Sequence, residues 1–178
     1  MTALKYPAAL LCTFFALSLH AAAAPCGYAA LAIEPLSATR TDVYAGQGER
    51  VEVSFANEAT TQPVETFPDS NLKIRQTGSN TVCEVDGGIW VRNAVYLSMN
   101  ERMLIAKQFS GSNESLGFYD THTCALKAEI DVSNRAWKIE PTGLRVGGRC
   151  ASDQLQSCKT TVLHRWGAHC LAHRAKKR

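Results

Sequence analysis

The sequence predicts an all-β domain: an antiparallel meander forming a sandwich, a barrel or a propeller-like sheet, stabilised by disulfides. Three observations carry this expectation. Apolar and polar residues alternate in many short runs, the period of half-buried strands. Turn residues separate the runs, as in Asp86-Gly87-Gly88, Ser110-Gly111-Ser112-Asn113 and Gly147-Gly148. Six cysteines remain once an N-terminal export segment is set aside, and an even number suits a disulfide framework. The chain has 178 residues, 46% hydrophobic and 20% charged. Those values exclude a disordered chain, a collagen, a coiled coil and a polytopic membrane protein.

Residues 1–24 read as a cleaved signal peptide. Lys5 supplies positive charge, an apolar run follows from Ala8 to Leu19, and Ala21 to Ala24 are small. The twelve-residue run is short for a span that needs about 20 residues. Residues 25–163 then form the β domain, with strands expected around 51–55, 72–75, 81–85, 89–91, 95–99, 103–109, 116–119, 125–132, 136–140, 144–146 and 161–163. Residues 62–70, which hold Pro63 and Pro68, read as a loop. Residues 164–178 form a basic tail, with a short helix expected from His164 to Lys177. No cofactor-binding motif is present.

Cys12 lies within the signal, which leaves Cys26, Cys83, Cys124, Cys150, Cys158 and Cys170. Fifteen connectivities are open. Cys150 with Cys158 is favoured because the two bracket a short polar loop; Cys83 with Cys124 and Cys26 with Cys170 then tie distant segments. Charge is uneven. Residues 25–144 carry 10 basic and 15 acidic side chains, a net −5. Residues 145–178 carry 8 basic residues and only Asp153, a net +7. Arg174, Lys176, Lys177 and Arg178 would suit an anionic surface. Nucleic acid is not an expected partner of an exported chain with an acidic body.

The run Val95-Tyr96-Leu97-Ser98-Met99-Asn100, the segment Leu116-Gly117-Phe118-Tyr119-Asp120-Thr121-His122-Thr123 and the strand Ala128–Val132 together resemble one blade of a YVTN- or WD-type β-propeller repeat. The resemblance covers about residues 90–135 and implies a three- or four-stranded meander. Asn100 stands where the repeat usually has Asp, and no second copy follows.

Candidate chemistry is sparse. Asp120 and His122 flank Thr121 on a turn, with Ser110, Ser112 and Ser115 on the preceding segment, the residue types of a Ser-His-Asp relay. No second glycine completes a nucleophile elbow around Ser112. His169 and His173 at i and i+4 would share a helix face and, in a cluster with His164 and Cys170, could chelate zinc or copper. Glu49 with Glu52, and Glu84 with Asp86, are carboxylate pairs with no spacing that opposes them. These sets are weaker than a binding reading. The expected function is a non-catalytic exported binding protein of the cell envelope, periplasmic or secreted, acting on a protein partner as an inhibitor or immunity-type protein. Its binding residues are expected on two loops, at Ser112, Asn113 and Glu114 and at Asp120 and His122. A secreted hydrolase using His122 and Asp120, and a structural protein attached through its tail, are the alternatives.

Overall fold

The computed structural model describes residues 26–59, 64–79 and 81–174. Its strands are β1 (Tyr28–Ala30), β2 (Glu34–Ser37), β3 (Arg40–Gln47), β4 (Val51–Ala56) and β5 (Thr66–Pro68). There follow β6 (Leu72–Gln76), β7 (Val82–Val85), β8 (Ile89–Ser98), β9 (Met103–Ser110) and β10 (Asn113–Asp120). The chain closes with β11 (Leu126–Asp131), β12 (Trp137–Glu140), β13 (Gly143–Cys150), β14 (Cys158–Trp166) and β15 (Ala172–Arg174), with a short 3-10 turn at Leu155–Ser157. The all-β expectation holds, and the answer is three face-packed antiparallel sheets. The central one runs β1-β8-β9-β10-β11, with β5 also on β8; the flanking ones run β2-β3-β4-β6-β7 and β12-β13-β14-β15.

The central sheet is buried on both faces, and alternation along its strands assigns the faces. Leu104 and Ala106 on β9, with Trp90, Val95 and Tyr119, pack against Tyr44, Val53, Phe55 and Ile74 of the first sheet. Met103 and Ile105, with Leu116 and Phe118 of β10, pack against Leu144 and Val146 of the last sheet. This is why residues 103–106 read as an unbroken apolar run, as strands covered on two sides do. Gly117 is required by the first core. A Cβ there would stand 2.4 Å from the Tyr119 hydroxyl, whose ring packs edge-on to Trp90.

The disulfides pair Cys26 with Cys170, Cys83 with Cys124 and Cys150 with Cys158. The first ties the start of the chain to the last sheet. The second joins β7, an edge of the first sheet, to Cys124, which follows the turn at residues 121–123 and leads into β11, an edge of the central sheet. The third closes the loop between β13 and β14.

Three expectations need correction. Residues 62–70 are not all loop: β5 pairs Phe67 with Trp90, and Phe67 is wholly buried. The segment from His164 holds no helix over its described part: β14 continues to Trp166 and β15 pairs His164 with Arg174. The strands β1 to β3 were not anticipated, because only Tyr44 and Gly46 are buried among the eight residues of β3. The signal segment 1–24 and residues 175–178 lie outside the described residues.

Candidate functional site

β9 and β10 form the longest hairpin of the central sheet, in register from Asn113 opposite Ser110 to Asp120 opposite Met103. Its turn is the two residues Gly111 and Ser112, with Gly111 at φ +62°. Glycine at the first central position is what a primed hairpin turn requires. The tip runs past its neighbours: β8 begins opposite Phe109, and the register with β11 begins at Ser115. Ser110, Gly111, Ser112 and Asn113 are all exposed.

The root of this tip is pinned. Glu114 pairs with Lys107 at 2.7 Å, and the Lys107 ammonium lies 4.8 Å from the centre of the Phe109 ring. The Ser133 hydroxyl accepts the Glu114 N–H at 2.9 Å, and the Glu114 carbonyl accepts the Val132 N–H at 2.9 Å. A free tip on a fixed root is the geometry of a rigid recognition loop.

Two further loops stand beside it. The turn from β11 to β12 is set by Asp131, whose Oδ1 accepts the Ser133 N–H at 2.9 Å, and by Asn134 at φ +53°. Hydrogen bonds from the Ser133 backbone and side chain hold the Asp131 carboxyl below the ordinary aspartate range. The loop closed by Cys150 and Cys158 is cross-braced by the Ser157 hydroxyl, which accepts the Ser152 N–H at 3.0 Å and donates to the Gln154 carbonyl at 2.7 Å. A cleft of about 510 Å³ runs between Lys107, Glu114, Arg135 and Trp137 on one side and Ala151 to Asp153 on the other. A second, of about 400 Å³, lies across Arg135 toward Gly148, Arg149 and His164. Asn134, Arg135, Ser152 and Asp153 were missed as candidates. Their signals were the Asp-x-Ser-Asn turn chemistry and the close pair Cys150 and Cys158.

Of the anticipated binding residues, Ser112, Asn113 and Glu114 sit at this end. Asp120 and His122 do not. They follow β10 at its other end, about 23 Å away at about 3.3 Å per residue. Asp120 Oδ1 accepts the N–H groups of His122 and Thr123 and the Thr123 hydroxyl, each at 3.0 Å, which makes it the organiser of a turn. Burial alone would push its carboxyl up; these donors and the charge of Lys127 outweigh that and hold it low.

The chemical alternatives lose their geometry. The serines of residues 110–115 lie toward the opposite end of the hairpin from His122, so no Ser-His-Asp relay forms from this set. Cys170 is bonded to Cys26. His173 lies on β15 and His169 on the turn before it, so no helix face joins them. Among the described residues no group of three or more His, Cys, Asp or Glu side chains is arranged to hold a metal. Glu52 is held by a two-point pair with Arg75, and Glu84 by Lys73 and Asn71. No helix among the described residues is long and apolar enough to cross a membrane.

Comparison with known proteins places this architecture. A family model described as immune protein Tsi1 matches residues 26–170. The immune protein Tsi1 of Pseudomonas aeruginosa is 34% identical over 148 residues, which cover 82% of this chain and 86% of that protein. These matches overturn the β-propeller resemblance. The topology gives the physical reason: β1 and β5 leave sequence order to join the central sheet, whereas a propeller repeats one blade of consecutive strands. The chain belongs to the Tsi1 immune-protein family.

Proposed function

We propose that this protein is a non-catalytic immunity protein of the cell envelope that neutralises a protein toxin by docking its hairpin end over the toxin's working surface. The observation that carries the reading is the Ser110–Asn113 tip. It is exposed, built on a turn that needs Gly111, and held at its root by Lys107, Glu114 and Ser133. A preorganised loop loses little freedom on binding, so more of its contact energy appears as affinity. The turn at Ser133 to Arg135 and the disulfide-closed loop at Ala151 to Ser157 would form the flanks of the contact. The net −5 of residues 25–144 suits a partner with a cationic cleft. A signal peptide over residues 1–24 would deliver the chain to the periplasm or beyond, where its three disulfides form. The basic residues 176–178 would add a weak, salt-sensitive hold on an anionic surface.

The test is capture from the native envelope fraction with oxidised residues 25–178 as bait. The reading predicts one saturable protein retained at moderate salt, and its loss when Ser112→Trp blocks the tip. A partner held equally well by the Ser112→Trp protein, or only salt-labile anionic material, would overturn it.

A further inference from the structure

The opposite end of the molecule carries a turn held more firmly than a connection between two strands requires. Residues 99–102 join β8 to β9. Glu101 sits at φ +53°, the left-handed region that a non-glycine residue adopts only at a cost. Its carboxylate accepts the backbone N–H of Glu49 at 2.7 Å and of Arg50 at 2.8 Å. Its carbonyl accepts the Thr121 hydroxyl at 2.7 Å. Asn100 Oδ1 accepts the Ser98 hydroxyl at 2.8 Å and the Arg102 N–H at 3.1 Å. The Asn100 carbonyl accepts the Arg50 guanidinium at 2.8 Å, and the Arg102 carbonyl accepts the Thr121 N–H at 3.1 Å.

Two side chains of this braced turn are left over. Met99 is 67% exposed, the most exposed large apolar side chain among the described residues. Arg102 is exposed and makes no ion pair among them. Arg102 and Asn100 stand between two clefts, of about 580 and 320 Å³. One adds Lys127, Asp120 and His169; the other adds Arg50, Gln76 and His122. Of the two carboxylates in these linings, Glu101 accepts backbone N–H groups with both oxygens, and Asp120 Oδ1 is held by the His122 and Thr123 N–H groups and the Thr123 hydroxyl. Strain that is held by so many bonds marks a place where the position of a side chain matters, and arginine and methionine are residue types enriched in recognition surfaces.

We propose that this end is a second recognition site, in which Arg102, flanked by Arg50 and Lys127, takes a carboxylate carried by an acidic peptide segment of a protein partner, with Met99 giving the apolar contact beside it. A guanidinium suits the planar carboxylate, which it can grip at two points. A flat anionic surface fits less well, because Lys127 and Arg50 line separate clefts on either side of Arg102. The site is independent of the hairpin tip, and with about 23 Å of strand between them both ends can be occupied at once.

The experiment is a nitrogen-15 amide titration of the oxidised mature chain with N-acetyl-tri-glutamate, with tri-glutamine as the neutral control. Saturable shifts are expected at Asn100, Arg102, Gln76 and His122, and inorganic phosphate should compete for the same signals. Arg102→Gln should weaken the glutamate peptide about tenfold, as loss of a charge-assisted contact does; Lys138→Gln should not. No saturable shift, or shifts indifferent to Arg102→Gln, would overturn the proposal. So would anionic lipid vesicles that bind in an Arg102-dependent way while the peptide does not. Failure here leaves the hairpin reading untouched, since Ser112→Trp tests the other end.

Discussion

Replacing Glu101 separately by alanine and by glycine resolves two effects that the structure superimposes at one residue. Both changes remove the carboxylate that accepts the N–H groups of Glu49 and Arg50. Hydrogen bonds to a charged group contribute about 1.5–3 kcal/mol each. Glu49 and Arg50 are exposed, so water partly replaces the lost acceptor and the low end applies, giving about 3 kcal/mol for Glu101→Ala. Glycine loses the same bonds but enters φ +53° without the side-chain clash. Set against its extra freedom when unfolded, it should be about 0.5–1 kcal/mol more stable than alanine. That order is the reverse of what an ordinary strand position shows. Urea unfolding with disulfides intact, followed through the buried Trp90, reads both values provided the slope is unchanged. An alanine protein that loses less than about 1 kcal/mol, or a glycine protein less stable than the alanine one, would refute the clamp.

Three other outcomes follow from the same geometry. Cys83→Ser with Cys124→Ser opens a bridge of sequence separation 41, which should cost about 4 kcal/mol by chain entropy and lower the urea midpoint accordingly. Asp120 has its folded-state affinity for protons depressed, so its contribution is present above about pH 4, its unfolded value, and fades as pH falls through the lower folded value. Asp120→Asn should therefore be less stable at neutral pH and show a shallower loss in an acid titration by circular dichroism. Gly143→Ala places a Cβ 2.2 Å from the His164 carbonyl oxygen, backbone that cannot rotate away. It should cost about 2–3 kcal/mol and lower the Tm, with the damage confined in hydrogen exchange to β13 and β14.

The parts legible in the sequence were those where one face is buried or a turn residue is obligatory. Val51, Val53 and Phe55 alternate plainly, and the Gly111 turn stands out. Of the disulfides, only Cys150 with Cys158 was favoured by a sequence signal, their separation of 8 residues; the other four cysteines can pair in three ways that all tie distant segments, and the fold decides among them. β3 was hidden because its first three residues are exposed and Gly46 carries no apolar signal. Gly46 is glycine for a reason that local pattern cannot show: a Cβ would stand 2.6 Å from Ile33. β15 was mistaken for helix because His169 and His173 have helical spacing; the Cys26 bond and the positive φ of Cys170 hold a strand return there instead. At the candidate site, Ser112 to Glu114 were named as binding residues from turn chemistry, and they sit on the exposed hairpin end. Asp120 and His122, named beside them, lie on a separate loop at the other end of the molecule, since two loops flanking one eight-residue strand lie at its opposite ends. The Glu101 clamp was not legible, because its partners are about fifty positions away.

The central claim is that the hairpin end makes the protective contact. The most direct measurement is hydrogen exchange by mass spectrometry on the complex with the captured protein partner, compared with the free chain. The account predicts protection concentrated at residues 110–114, with flanking protection at 133–135 and 151–157. Protection confined to 99–102 and 120–122, with the tip exchanging as in the free chain, would contradict it.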